Sequence, residues 1–203
     1  MTFKRKYLKV YIWEVIQFFL GAPKGKQSLY FGTLRPAPRA KILDVGCANG
    51  NASAVFRDYD YTGIDIDPLA IDFASDRFRQ NPTMRFLCED VYRHDKPGHY
   101  DYVVLGSIGH HIPNEEFLAL LQRVRQLLKP GGIVAIFDPI VTGRESPWLK
   151  YIMSLDEGKC HKTLEEYLGL FSRANLTLIE QKISTVRGVC LTYTNFAAFK
   201  LST

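Results

Sequence analysis

The chain has 203 residues, and its 26 lysines and arginines against 21 aspartates and glutamates give a net charge of +5. With 46% hydrophobic and 23% charged residues, the composition is that of a globular protein and excludes disordered or collagen-like chains. A chain of this length buries roughly 70% of its unfolded surface, which is enough for one domain with its own core. The mild positive charge permits a nucleic acid partner but does not demand one, because the sequence has no run of five basic residues.

The cysteines lie far apart, without a Cys-x-x-Cys pair and without histidines at the spacing of a zinc site. This pattern is typical of reduced thiols in an intracellular protein, so the expected location is the cytoplasm and no metal site is expected. The cysteines are Cys47, Cys88, Cys160 and Cys190.

A short apolar segment, residues 7–20, follows three basic residues at positions 4–6. Glu14 and Gln17 interrupt it, and it is shorter than the ~20 residues that span a bilayer, so we interpret it as neither a signal peptide nor a membrane span. Its apolar positions recur at helical spacing and predict an amphipathic helix that ends near Gly21. Three roles stay open for this helix: packing on the main domain, closing over a pocket as a lid, and contact with a membrane surface, which is not favoured.

After this region, short apolar runs alternate with helical segments. Five runs have the length of buried strands, at residues 41–45, 59–65, 84–89, 100–106 and 132–137. Helices are predicted from about Ala52, behind an Asp67 cap, behind an Asn114 cap, and from a Thr163 capping box to Arg173. Strands that alternate with helices predict a parallel sheet with helices on both faces.

Two further strand-like runs, residues 176–183 and 189–201, are joined by a short turn at Arg187-Gly188. A parallel pair needs a crossover of a dozen residues or more, so these two strands must form an antiparallel hairpin. We expect one domain in four parts: a helix and lid or linker (1–38), a cofactor-binding core (39–141), a substrate-cap insertion (142–162), and a helix with a β-hairpin (163–203).

The most informative segment is the loop after the first strand, where Asp44 and Gly46 precede a run of small residues and a helix start. Small residues allow a ligand to approach the backbone, and a helix start offers free N–H groups. Asp65, nineteen residues beyond Gly46, ends the second strand and is suited to bind ribose hydroxyls. The dinucleotide pattern G-x-G-x-x-G fails at Ala48 and Asn51. A carboxylate at Asp44 suits a cationic ligand and favours S-adenosylmethionine over a pyrophosphate.

The loop sequence Asp44 to Gly50 resembles the D-x-G-x-G-x-G signature of class I S-adenosylmethionine-dependent methyltransferases, with Ala48 in place of the middle glycine. Further motifs of the family are similar, in order, to residues 63–67, 86–91, 100–104 and 128–132. The resemblance implies an α/β fold with a Rossmann-like, doubly wound, seven-stranded sheet that is mostly parallel and ends in an antiparallel hairpin. It also implies that Asp65 binds the ribose and Asp90 the adenine amino group. The other residues expected to contact the methyl donor are Asp44, Gly46, Cys47, Ala48, Asn49, Ile66, Val91, Gly106 and Ser107.

The methyl acceptor is expected at the carboxyl ends of the fourth and fifth strands. No N-P-P-Y-like motif of base and glutamine methyltransferases occurs there, and the pair His110-His111 resembles small-molecule methyltransferases of quinone and sterol pathways. Either histidine is a candidate general base because imidazole titrates near neutral pH. The alternative role for such a histidine is a structural hydrogen bond to the backbone. The sequence does not tell which role applies, nor does it distinguish His110 from His111. Asp138 and Tyr151 are the expected substrate contacts.

The leading interpretation is therefore an enzyme that transfers a methyl group from S-adenosylmethionine to a small-molecule acceptor by in-line displacement, releasing S-adenosylhomocysteine. Two alternatives remain open: a catalytically silent accessory protein that binds the cofactor, and an RNA methyltransferase. A nucleic acid partner is less favoured than a small molecule.

Overall fold

The computed structural model describes residues 34–155, 158–187 and 193–203. The predicted helix at residues 7–20, with its three candidate roles, lies outside the described residues. Gly188, which belongs to the predicted hairpin turn, and the fourth cysteine, Cys190, lie outside the described residues as well.

A central sheet has the strand order β3-β2-β1-β4-β5-β8-β7. The first five strands pair in parallel, and β8 runs antiparallel to both β5 and β7. This is the predicted Rossmann-like sheet with its antiparallel carboxyl-terminal pair. The strands are β1 (Lys41–Val45), β2 (Asp60–Asp65), β3 (Met84–Cys88), β4 (Tyr100–Gly106), β5 (Leu128–Val141), β6 (Lys162–Thr163), β7 (Thr177–Arg187) and β8 (Tyr193–Ser202). The two-residue β6, which pairs with the end of β5, was not predicted.

The fifth strand is longer than the predicted residues 132–137. Leu128 already pairs with Tyr100, and the register shifts before Tyr102 meets Ile133. The predicted turn at residues 128–132 is therefore an irregularity at the start of β5, and not a separate loop before it.

The described part of the chain contains four α-helices: α1 (Pro68–Phe78), α2 (Asn114–Leu127), α3 (Pro147–Leu155) and α4 (Leu164–Arg173). The Asp67 cap is confirmed, since its side chain accepts a hydrogen bond of 2.8 Å from Leu69 N–H. The capping box of Thr163 and Glu166 is confirmed as well. In the described part of the chain, no helix has the length and apolar character to cross a membrane.

Two helix predictions were wrong in detail. The helix expected from Ala52 is only a four-residue 3₁₀ helix, Ser53–Phe56, which ends where Tyr59 N–H bonds to the Phe56 carbonyl at 3.1 Å. The second helix begins at Asn114 with Pro113 in the cap position. Asn114 is thus the first helical residue and not the cap, and its Nδ2–H donates to Glu166 on α4 at 3.3 Å.

Both faces of the sheet are buried at its centre, in β1, β2 and β4, as a parallel sheet requires, whereas the edge strands β3 and β7 are largely exposed. Leu43 and Val45 of β1 join a core shared with α2 and α4, whereas Ile42 joins a second core with Phe56 and Tyr61 on the opposite face. The carboxyl ends of the parallel strands are thereby left as the edge at which loops meet a ligand.

Candidate active site

The loop after β1 has the backbone of a glycine-rich loop. Gly46, Ala48 and Gly50 all have left-handed φ values, of 71°, 47° and 70°. An alanine in this region is strained, because the region favours glycine. Ala48 therefore keeps the backbone path of the glycine that the family motif has at this position, and adds only a methyl group to an exposed site.

Two glycines are required by close approach. A Cβ on Gly46 would lie 2.9 Å from Ile108 Cδ1, and a Cβ on Gly63 would lie 2.8 Å from Cys47 Sγ. The first contact packs the β1 loop directly against the segment that leads from β4 to the histidine pair. The loop predicted to bind the methyl donor is therefore adjacent to the segment predicted to meet the methyl acceptor.

Asp65 is fixed at the tip of β2. Its Oδ2 accepts a bond of 2.8 Å from Ala48 N–H, and its Oδ1 accepts one of 3.0 Å from Asp67 N–H. The adjoining Ile66 is 76% exposed, and Asp90, which follows the neighbouring β3, is exposed as well. Two carboxylates and an exposed apolar side chain at the ends of neighbouring strands have the chemistry that a nucleoside requires, since a nucleoside joins hydroxyl and amino groups to a flat ring system.

Asp44 lies below the loop and is buried. Its Oδ2 accepts a hydrogen bond of 2.7 Å from the Tyr61 hydroxyl, which also lies 2.6 Å from Ser53 Oγ. Burial, and then the Asp44 charge, raise the pKa of Tyr61 well above its usual value. Sequence reasoning missed Tyr61 and Ser53. The available signal was a tyrosine in a strand buried on both faces, since a buried hydroxyl needs a partner.

The other residues expected to contact the methyl donor lie at or near the carboxyl edge of the parallel strands. Cys47 is buried, and burial raises the pKa of its thiol so that it stays protonated. Asn49 is buried and its Oδ1 accepts from Asn51 N–H at 3.2 Å. Val91 is buried behind Asp90. Gly106 ends β4, and Ser107, with φ of 59°, donates its N–H to the Phe137 carbonyl at 2.6 Å.

The histidine pair lies on a 3₁₀ helix, Gly109–His111, directly after β4. His110 is buried, and its Nδ1 lies 2.6 Å from Oδ1 of Asp138, whose side chain is fully buried. Asp138 Oδ2 accepts from Gly109 N–H at 2.6 Å. Burial and the nearby Asp138 charge raise the pKa of Tyr167, whose hydroxyl approaches the same glycine.

The structure separates the two histidines that the sequence left equivalent. His110 is anchored on Asp138, whereas His111 is exposed and its ring centroid lies 4.1 Å from that of His110. Asp138, expected as a substrate contact, is placed beneath His110. Tyr151 is 55% exposed on α3.

One further residue, Lys162, was assigned no role from the sequence. It is buried, and its Nζ donates to the carbonyls of Gly109 (2.5 Å), Ile112 (2.7 Å) and Cys160 (3.0 Å). A lysine that directly follows a histidine and precedes a capping box carries no local signal of burial. Two of its three partners lie about fifty residues away in the chain, so its burial is explained by tertiary contacts.

Within residues 34–155, 158–187 and 193–203, no group of three or more His, Cys, Asp or Glu side chains is arranged to hold a metal ion. Three cysteines in these ranges are free thiols, namely Cys47, Cys88 and Cys160.

Residues 42–132, a little under half of the chain, match the family model described as a methyltransferase domain. The match runs from β1 into β5 and includes the Gly46 loop, Asp65, Asp90 and both histidines. Residues 42–132 are therefore similar to a methyltransferase domain, and similar solved structures include S-adenosylmethionine-dependent methyltransferases of the class I fold. S-adenosylmethionine is the methyl donor of such enzymes.

Two curated relatives have names that include the word methyltransferase. The chain is 28% identical over 132 residues to an uncharacterized methyltransferase of Synechocystis sp., a match that covers 64% of this chain and 60% of the relative. It is 24% identical over 139 residues to a demethylmenaquinone methyltransferase of Staphylococcus aureus, covering 63% and 57%. The chain therefore spans less than two thirds of these relatives' lengths.

Geranyl diphosphate C-methyltransferase from Streptomyces coelicolor, solved with Mg²⁺, geranyl diphosphate and S-adenosylhomocysteine, is similar with a TM-score of 0.71. The similarity covers 88% of this chain and 78% of that chain at 14% identity. At this identity the likeness shows the fold alone.

Proposed function

We propose that this methyltransferase transfers the methyl group of S-adenosylmethionine to a small-molecule acceptor, and that His111 meets the acceptor while His110 and Asp138 support it. The observation that carries the proposal is the separation of the histidine pair into one anchored and one exposed imidazole, on a turn that packs against the β1 loop through Ile108. The printed name of the Staphylococcus aureus relative, a demethylmenaquinone methyltransferase, also favours a small acceptor.

The donor is held by this chain's own residues at the edge of the sheet. Asp65 faces the ribose hydroxyls, Asp90 the adenine amino group, and Ile66 the face of the base. Asp44, oriented by Tyr61, supplies negative charge for the amino and sulfonium groups. S-adenosylmethionine itself supplies an electrophilic methyl group and a sulfide leaving group.

The protein must therefore align the acceptor in line with the methyl group and, for an O–H or N–H acceptor, remove a proton. His110 is poorly suited to touch an acceptor, since its Nδ1 is committed to Asp138 and the ring is buried. His111 is exposed beside it, and an imidazole takes up a proton near neutral pH. In this scheme His111 accepts the acceptor's proton or orients its hydroxyl, and His110 fixes the turn.

The test measures S-adenosylhomocysteine formed from S-adenosylmethionine with a small-metabolite extract, with RNA, and with neither. We expect formation with the metabolite extract, and His111→Gln to lower turnover by about a hundredfold, the usual contribution of a general base, with unchanged affinity for S-adenosylhomocysteine. His99→Gln is the matched control, because His99 lies before β4 at the opposite end of that strand.

Product formed with RNA alone would identify an RNA methyltransferase and refute the small-molecule acceptor. Binding of S-adenosylhomocysteine without turnover in any fraction would favour the silent accessory protein. Full turnover by His111→Gln would remove His111 from the proposed role.

A further inference from the structure

Lys162 is a buried charged residue that the proposed chemistry does not use. Only 1% of its surface is exposed, and its ammonium has three N–H donors, all of which meet backbone carbonyls at 2.5 to 3.0 Å. An ammonium group offers three donors and no acceptor. The hydrogen-bonding capacity of this side chain is therefore filled by three carbonyls from two separate parts of the chain.

The positions of these carbonyls are informative. Gly109 and Ile112 stand immediately before and after the pair His110-His111. The third carbonyl belongs to Cys160, on the segment that leads into β6. A single ammonium group thus joins both ends of the histidine turn to residues 158–162.

The same segment contacts His110 at two other points. The Cys160 N–H donates to the His110 carbonyl at 2.9 Å. Gly158 lies so close to the imidazole that a Cβ built on it would be 2.2 Å from His110 Cδ2. In addition, Lys162 pairs with Ile140 of β5, two residues beyond Asp138. His110 is therefore held by Asp138 on one side and by residues 158–162 on the other.

Burial of a lysine is costly for stability. Burial lowers the pKa of Lys162, while its electrostatic interaction with nearby groups, above all the Asp138 carboxylate, acts in the opposite direction. An apolar side chain would occupy such a site without this desolvation cost. The three carbonyl bonds are what an apolar residue would not supply, so the geometry of the turn is the property that this lysine adds.

We propose that Lys162 is a positioning residue of this methyltransferase. Its ammonium fixes the turn from Gly109 to Ile112 so that His110 stays on Asp138 and His111 faces the acceptor. The proposal rests on the proposed role of the histidine turn in methyl transfer, and its test uses a readout that does not require the acceptor.

The experiment compares Lys162→Met with Lys159→Met, both in the full chain with ¹⁵N-labelled histidine. Lys159 is a matched control because it lies in the same segment but is exposed and donates to the Ser154 carbonyl. The readout is the exchange with water of the His110 Nδ1–H proton, which the hydrogen bond to Asp138 protects. We expect exchange at least tenfold faster in Lys162→Met and unchanged in Lys159→Met. Calorimetry should show affinity for S-adenosylhomocysteine within threefold of the parent in both variants.

An unchanged His110 proton in Lys162→Met would overturn the proposal. Loss of S-adenosylhomocysteine binding together with the His110 signal would also overturn it, because the lysine would then support the whole fold and not this turn. If Lys162→Met does not fold, amide exchange in the unaltered protein decides. The Cys160 N–H should exchange at least a hundredfold more slowly than in an unstructured peptide. An unprotected Cys160 amide would refute the proposal that residues 158–162 hold the histidine turn. A failure of the proposed function is seen separately, as an absence of methyl transfer by the parent protein.

Discussion

Replacing Asp138 by asparagine tests the buried network beneath the histidine pair. The substitution keeps the shape of the side chain but removes its charge and one of its two acceptor oxygens. At present Oδ1 faces His110 Nδ1 at 2.6 Å and His110 N–H at 3.3 Å, while Oδ2 faces Gly109 N–H at 2.6 Å. Whichever way the new amide turns, its NH₂ group meets a buried donor.

The magnitude follows from these contacts. A buried donor left without an acceptor costs about 1–3 kcal/mol, and a hydrogen bond to a charged group contributes about 1.5–3 kcal/mol. We therefore expect Asp138→Asn to lower the free energy of unfolding by about 3–5 kcal/mol, which is also the range for breaking a buried ion pair by removal of one partner.

The assay is urea unfolding followed by circular dichroism, with the slope checked for each variant. The matched control is Glu115→Gln, which removes a carboxylate that binds Arg173 at 2.7 Å but is 73% exposed. Water screens that pair, so no measurable change is expected. A loss below about 1 kcal/mol in Asp138→Asn, or an equal loss in both variants, would refute the reasoning that burial makes Asp138 the more important carboxylate.

Two further substitutions test other parts of the structure. Gly158→Ala places a Cβ only 2.2 Å from His110 Cδ2, so we expect thermal unfolding to show a free energy of unfolding lower by about 1–3 kcal/mol. A Cβ on Gly169 of α4 would meet no neighbouring side chain within 4 Å, so Gly169→Ala should instead stabilise the protein by about 0.5–1 kcal/mol. Equal effects of the two substitutions would contradict the close approach of Gly158 to His110. The bond from Thr163 N–H lowers the pKa of Glu166 below its ordinary 4.5. The unfolded chain then takes up this proton at a higher pH than the folded one, so the contribution of Glu166 to stability is lost as pH falls from about 4.5 through the folded-state pKa. Glu166→Gln should show a weaker fall in unfolding free energy between pH 5 and pH 3, and a parallel fall in both proteins would argue against the capping box as the cause.

Features set by residues close in sequence were predictable before the structure was known. Short apolar runs predicted the five long parallel strands, because strands at the centre of a parallel sheet are buried on both faces, and the short connection between the last two runs predicted their antiparallel pairing. The cap at Asp67 and the capping box at Thr163 were predictable because each involves a bond within three residues. The resemblance at the β1 loop extended to its backbone, since Ala48 keeps the left-handed conformation that its position requires.

Features that depend on distant partners were not predictable. The bond from Tyr61 to Asp44 spans 17 residues, and the short β6 exists only because it lies against the end of β5.

The parallel sheet, the glycine-rich loop after β1 and the acidic residues at the ends of β2 and β3 could be predicted from the sequence, because they depend on periodicity and on local backbone conformation. Which histidine of the pair is buried depends on tertiary packing. His110 and His111 are chemically identical neighbours, and they differ because Asp138, 28 residues away, and the segment carrying Lys162, about fifty residues away, both close on the first of them. A side chain's burial and hydrogen-bond partners are set by the packing of such distant segments, which the local sequence does not encode.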